Sequence, residues 1–390
     1  MNTPLIQTAA FLLDAYRELN SKKLFWITMV LSGLVVAAFA AIGINENGLT
    51  LLWFEVGSFE GFITSKTIPP DQLYKTLFAN FGIAFWLSWV ATILALVSTS
   101  SLIPDFIASG AIELTLSRPV SRARLFFTKF VLGLLFVGLQ VLTFSLACFI
   151  VIGVRGGAWE PGVFLAVPIV LLFFSYLFAV CVLFGLLTRS TIASLLLTLL
   201  FWFLCFGINA AEGMVLHGRE SNTVLTDSLE TRISRLEANA TRLLRQPLGD
   251  DAEDTRPPLS QAELEAANPR IAEARKDLEN LRTSYKTWNT AARTMVIVKT
   301  VLPKTSETVA LIDRWLVKEM NLRENEFSDD RSNDATASFT KLSPADRIKV
   351  QKRLEAIYKG RSVTWVLGTS VLFELLILGI CIRIFVRRDF

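Results

Sequence analysis

Six long apolar runs, near Leu24–Ile44, Leu77–Ile103, Phe126–Val154, Val163–Leu187, Thr191–Ala211 and Val363–Phe385, constrain this chain more than any other feature. Crossing the ~30 Å hydrocarbon layer of a bilayer takes about 20 apolar residues in a helix. Inside lipid the backbone must satisfy its own hydrogen bonds, so runs of this length are helices. The predicted fold is all-α: a polytopic membrane protein with about six transmembrane helices. Only 19% of the 390 residues are charged, against about a quarter in soluble domains. Leu24–Ile44 and Val163–Leu187 carry no charge, whereas Ser221 to Gly360 is dense in it. The chain is written for two solvents.

The same composition excludes several functions. A net charge of +4 with no basic stripe gives no footprint for nucleic acid. Cys148, Cys181, Cys205 and Cys381 all sit in apolar runs and read as packing residues rather than a disulfide framework. His217 is the single histidine, so no histidine metal site is expected. No Gly-x-x-x-x-Gly-Lys-Ser/Thr, Gly-x-Ser-x-Gly or His-Glu-x-x-His occurs, so the chain is read as neither a nucleotide-binding protein nor a catalyst. Ala38-Phe39-Ala40 has the look of a signal cleavage site. The run before it is too long and its polar start too acidic for a signal peptide, so the first run is expected to remain as a span.

Lys and Arg in short loops stay on the cytosolic side. With the N-terminus inside, that side holds Arg17, Lys22, Lys23, Arg118, Arg122, Arg124, Lys129, Arg189, Arg383, Arg387 and Arg388. The other side holds only Lys66, Lys75 and Arg155. Both termini are therefore expected in the cytosol, and the long insert between the fifth and sixth runs outside it.

Four regions follow. Residues 1–23 form an amphipathic elbow, with Leu5, Ala9, Leu12, Tyr16 and Leu19 on one face. Residues 24–211 hold spans one to five. Within them, 104–125 is a cytosolic segment carrying Ile112, Glu113, Leu114, Arg118, Pro119, Arg122 and Arg124. Pro119 disfavours helical geometry at Arg118 and ends the short helix before it. On residues alone this segment either docks a cytosolic partner or anchors the loop by its positive charge. Residues 212–361 form the insert, and 362–390 the last span and tail.

In the insert, Leu225, Leu229, Leu236, Ala240 and Leu243 make one apolar stripe. Leu264, Ile271, Leu278, Leu281, Tyr285 and Trp288 make another. A proline-rich acidic stretch separates them, and Ser260-Gln261-Ala262-Glu263 is a capping box at the start of the second. Either stripe alone would leave its apolar face wet, which predicts a coiled-coil-like antiparallel hairpin. At 1.5 Å per residue such helices reach roughly 30–37 Å, too far to line a pathway through the bilayer. Tyr285 and Trp288 are expected at its base. Further helices are predicted over Ser306–Met320 and Pro344–Lys359, the latter capped by Ser343 and stopped at Gly360. One charge lies inside a span: Glu374, about 18 Å deep at 1.5 Å per residue. It is expected to face a polar cavity, a partner, or a hydroxyl or amide on a neighbouring span such as Gln140.

The elbow reading Ala15-Tyr16-Arg17-Glu18-Leu19-Asn20-Ser21-Lys22, the six spans, and the stretch from Ser109-Gly110-Ala111-Ile112-Glu113-Leu114 through Leu116-Ser117-Arg118-Pro119-Val120-Ser121-Arg122 to Lys129 and Gly133 together resemble the permease subunits of type 2 ABC exporters. The resemblance covers residues 1–211 and 295–390. Leu302-Pro303-Lys304-Thr305 and the helix after it are similar to a short external helix in relatives, including permeases of nitrous-oxide reductase maturation. The resemblance implies half of a homodimeric core in a bacterial inner membrane, driven by a separate cytosolic ABC ATPase subunit that binds ATP and Mg. No cofactor is expected in this chain itself. It further implies that the 104–125 segment couples to that ATPase and that an amphipathic or lipid-like substrate is exported. The hairpin from Val224 to Thr290 is foreign to typical members. It raises an alternative, mechanical transmission to an extracytoplasmic protein without transport, and a second one, a passive membrane scaffold.

Overall fold

The computed structural model describes residues 17, 23–46, 48–52, 54–55, 69–108, 121–245, 259–319 and 342–387. The elbow, apart from Arg17 and Lys23, and coupling residues Ile112, Glu113, Leu114, Arg118 and Pro119 lie outside the described residues.

Among the described residues six helices are long and apolar enough to cross a membrane, in register with the six runs of the sequence. The first is α1, Lys23–Ala41. The second passes through α2 (Pro70–Leu77), a π-helix over Phe78–Ala91, and α3 (Thr92–Thr99), followed by the short α4, Pro104–Ala108. The third is α5, Arg122–Gly156, N-capped by Ser121, whose hydroxyl accepts from the Arg124 N–H. It ends at Gly157, whose left-handed φ of 72° suits a residue without a Cβ. A 3₁₀ turn at Pro161–Leu165 leads into α6, Ala166–Thr188, the fourth span. The fifth run opens α7, which continues to Arg245 as one helix of 55 residues from Thr191. The insert supplies α8 (Gln261–Ala267), α9 (Pro269–Val301), α10 (Thr305–Glu319) and α11 (Pro344–Lys359). The last span is α12, Val363–Arg387.

The first span ends three residues earlier than its apolar run suggests. Ile42–Asn45 forms β1, which pairs antiparallel with β2, Gly48–Leu51, and this in turn with β3, Phe54–Glu55. The sheet is pinned to neighbouring helices. Tyr74 on α2 donates its hydroxyl to the Ile42 carbonyl at 2.6 Å, and the Arg155 Nε on α5 donates to that same hydroxyl at 3.1 Å. Lys75 beside it is buried between Glu160, at 2.7 Å, and Asp71, at 3.2 Å.

The chain divides into two compact units. One contains residues 1–206, 301–327 and 362–390, and the other 207–300 and 328–361. The first holds the main core, with α6 at its centre: every residue from Phe173 to Val182 is buried. Phe130, Phe174 and Phe178 stack there, with ring centroids 5.1 and 5.6 Å apart for the pairs through Phe178. Large apolar side chains such as Val30, Leu34, Ile192, Leu196, Leu200, Leu372 and Leu376 point outward from this unit. A water-soluble surface does not carry patches of that kind, and a lipid-facing one does. The protein is an integral membrane protein of the all-α polytopic class.

In the second unit α8 begins at the capping box the sequence shows: Ser260 Oγ accepts from the Glu263 N–H, and the Glu263 carboxylate accepts from the Ser260 N–H at 2.7 Å. Ala240, Leu264 and Ile271 form one small core with Leu236 and Leu259 against it. Val224, Leu342 and Val350 form another with Leu225 and Leu354, so α11 packs on α7. Helix α10 belongs instead to the first unit, whereas its position in the sequence groups it with the insert.

Packing in the spans is close enough for one glycine to be tested. A Cβ on Gly133 would fall 2.6 Å from the Phe178 ring and 3.2 Å from a Leu102 methyl, so α5 approaches α6 only because that atom is absent. Gly133→Leu is expected to destabilise the membrane unit by about 1–3 kcal/mol through overpacking. A melting temperature in detergent checks this; an unchanged one contradicts the close approach.

Candidate functional site

One polar seam inside the membrane unit lies where α6, α10 and α12 meet. Its members are Ser175 and Tyr176 on α6, Lys304, Thr305 and Thr308 at the start of α10, and Ser370 and Glu374 on α12, all buried. Ser175 Oγ donates to Glu374 Oε2 at 3.0 Å and also lies 2.8 Å from the Leu172 carbonyl. Thus a hydroxyl on a neighbouring span does meet Glu374, and it is Ser175. Gln140, the amide the sequence suggested, instead lines a small cavity beside α1, α3 and the π-helix. The Tyr176 hydroxyl lies beside Thr308, Ser370 and Glu374 but closes no hydrogen bond with them at normal geometry.

Lys304 fixes the other end of the seam. Its backbone N–H donates to Ser370 Oγ at 2.9 Å, and its ammonium donates to Thr369 Oγ1 while lying 4.3 Å from the Trp365 ring centroid. Cation–π contact and hydroxyl bonding together make a buried ammonium tolerable. Thr308 returns its hydroxyl to the Lys304 carbonyl at 2.8 Å. The start of α10 is thereby fastened to the last span.

The flanks of the coupling segment are described, although its centre is not. Lys129 on α5 lies 5.0 Å from the Phe106 ring centroid on α4, and Thr191 at the start of α7 donates to Asp105 at 3.1 Å. Arg122 Nη1 donates to the Val386 carbonyl at 3.2 Å. Arg122 and Arg124 therefore stand where spans two, three, five and six converge at one end of the unit.

The second unit is closed by a buried ionic knot that sequence reasoning did not single out. Lys299 Nζ donates to Glu212 Oε2 at 2.6 Å and to Asn209 Oδ1 at 2.7 Å. Arg361 Nη2 donates to the other Glu212 oxygen, Oε1, at 2.7 Å. In a charge-dense segment nothing in the sequence marks these three as the ones that go inside. The hairpin itself carries cross-helix ion pairs: Arg275 reaches Glu237 at 2.6 Å and Glu265 at 2.8 Å, and Arg282 reaches Glu230 at 2.9 Å.

Of the predicted stripe residues, Leu264 and Ile271 are buried, and Leu225, Leu229, Leu236, Leu278 and Leu281 are half-buried. Leu243 is 69% exposed, a correction to the stripe. Among the described residues, the facing chain from Leu259 onward packs on Leu236 and Ala240. Val224 and Ile233, outside the stripe, are buried instead. Trp288 packs on α7 at Gly218, where a Cβ would lie 2.9 Å from its ring.

Six membrane-spanning helices, an intramembrane polar seam and a helical second unit define an α-helical membrane protein. Residues 19–205 match the family described as ABC-2 family transporter protein, which takes in the first five spans up to Cys205. The match covers just under half of the chain. Neither a curated protein nor a solved structure matches the chain.

Two outcomes follow from this geometry. Glu212→Ala leaves the Lys299 ammonium and the Arg361 guanidinium without their shared carboxylate. Breaking a buried ion pair from one side costs about 3–5 kcal/mol, so hydrogen exchange in α9 and α11 should accelerate while the spans stay protected. Unchanged exchange would remove the knot from the account. For Glu374, Ser175 keeps the Leu172 carbonyl when the carboxylate is lost, so Glu374→Leu should not lower the melting temperature appreciably. Activity in a reconstituted assay should nonetheless survive in Glu374→Gln and fall in Glu374→Leu; equal activity in both would mark the position as dispensable.

Proposed function

We propose that this chain is the transmembrane permease subunit of an ATP-driven ABC exporter. The match of residues 19–205 to the ABC-2 transporter family carries the reading. In it, two copies form the membrane core in a bacterial cytoplasmic membrane with both termini in the cytosol. Two separate ATPase subunits bind ATP and Mg below. Their closure presses on the 104–125 segment, through Ile112, Glu113, Leu114, Arg118, Pro119, Arg122 and Arg124, and reorients the spans. The convergence of α4, α5, α7 and α12 beside Arg122 and Lys129 supports that path, because a push there reaches four spans at once. An amphipathic or lipid-like substrate suits a core whose outer faces are apolar and whose interior carries polar groups. Kinship with permeases of nitrous-oxide reductase maturation is a finer proposal, resting on Leu302-Pro303-Lys304-Thr305 and the helix that follows.

One observation favours a second reading, mechanical transmission to a protein outside the membrane. Helix α7 is a single element from the fifth span into the hairpin, so displacement of the span is passed along it without an intervening loop. The extracytoplasmic hairpin would then bind the target.

Two variants test these proposals in protein co-purified with its ATPase. Glu113→Lys should uncouple ATP hydrolysis from function while insertion is retained; normal function in that variant would sink the docking assignment. Replacing residues 230–282 with a Gly/Ser linker removes the hairpin but keeps Val224 and Asp227, which hold α11 through Val350 and the 2.9 Å pair to Arg353. Export should survive this deletion. Loss of function with hydrolysis intact would instead favour transmission.

A further inference from the structure

We propose that spans one, two and three share a binding site for a single exchangeable water molecule, bounded by Thr28 and Ser32 of α1, Thr92 of α3 and Gln140 of α5. These four side chains are buried within the membrane unit and line one cavity together with the apolar Leu87 and Val141. The cavity gives a water-sized sphere about 10 Å³ in which to place its centre, the size that holds one water when polar partners surround it.

The hydrogen-bonding capacity of the walls matches that ligand and few others. Gln140 is 6% exposed and its side-chain nitrogen has no acceptor, so a donor stands ready at the cavity. Ser32 Oγ accepts from the Trp86 indole N–H at 3.3 Å, which leaves its own hydrogen to be donated. Thr28 and Thr92 spend their hydrogens on the Leu24 and Leu87 carbonyls, at 2.9 and 2.7 Å, and keep oxygen lone pairs as acceptors. Two donors and two acceptors around one point are the complement of water, which accepts two bonds and donates two. A cation would find no carboxylate among these walls, and an apolar molecule would leave the Gln140 donor unpaired.

The neighbouring backbone explains why room exists. Phe78–Ala91 is a π-helix, whose wider turn shifts carbonyls by one residue. Ser88 and Thr92 correspondingly donate to carbonyls five residues back, those of Ile83 and Leu87. A water held jointly by three spans bonds to each of them at once. The site is a polar joint of α1 with the second and third spans.

The test is synchrotron radiolysis of the full chain in lipid nanodiscs, with oxidised residues located by mass spectrometry. Hydroxyl radicals form where water is, so Leu87 and Val141 should be oxidised several-fold faster than Leu177 and Leu186, which are as deeply buried. Gln140→Leu removes the donor and fills the space, and the Leu87 rate should drop to that of Leu177. Thr92→Val removes an acceptor at nearly constant volume and serves as the second variant should the first fail to fold. Oxidation of Leu87 no faster than of Leu177 in the wild type overturns the proposal. So does a fast rate at Leu87 that neither substitution lowers.

Discussion

The second unit depends on one carboxylate. Glu212 takes an ammonium on one oxygen and a guanidinium on the other, from Lys299 and Arg361, residues 87 and 149 positions further along the chain. Each comes at the end of a helical excursion, so the bonds close the insert at its base. Small clusters hold the remainder: Ala240, Leu264 and Ile271 in the hairpin, and Val224, Leu342 and Val350 under α11. Neither buries much apolar surface, and an element with so little core relies on fixed geometry at its root. Buried ion pairs contribute little to net stability against a hydrophobic alternative, but they penalise any arrangement that separates them. Here that penalty specifies which helix ends lie together.

The membrane unit solves a different problem. Its apolar side chains gain little from leaving lipid for one another, so close packing and hydrogen bonds must set the arrangement. Gly133 lets α5 approach the Phe178 ring, and Ser175, Ser370 and Thr308 supply bonds between neighbours that are otherwise featureless. Lys304 carries this furthest. Its ammonium is buried in contact with Trp365 and Thr369, which draws the start of α10 into the membrane unit although its position in the sequence groups it with the insert.

Much of this was legible because its physics is local. A span is recognised from its own apolar run, a cap from four consecutive residues, and Ser260, Ser343 and Gly360 fall where composition puts them. Glu374 was legible as an anomaly, an acid in an apolar run. Its partner was not, because Ser175 is one of many small polar residues in the spans and the sequence does not say which turn faces which. The Glu212 knot was hidden for the opposite reason, being charges among charges. The small sheet was within reach: Asn45-Glu46-Asn47-Gly48 is a turn sequence, and Gly48 adopts a φ of 137°, but the apolar Ile42-Gly43-Ile44 before it reads equally well as the end of a span. The central coupling residues Ile112 to Pro119 remain a reading from sequence.

These placements divide the membrane unit into parts that should hold and parts that should move. Helix α6 is buried along its middle and tied by the seam to α12 and α10, so displacing any of these exposes a buried carboxyl or ammonium. Helix α1 meets its neighbours through a smaller polar set. Its polar side chains Thr28 and Ser32 meet the spans beside it at the Trp86 contact and the small polar cavity. A π-helix flanks that cavity, and a wide turn accommodates a shift in register more easily than an α-helical one does. Under the proposed function the consequence is specific. A push arriving where α4, α5, α7 and α12 converge should carry α6, α10 and α12 together as one body, and relative motion should concentrate between α1 and the π-helical span.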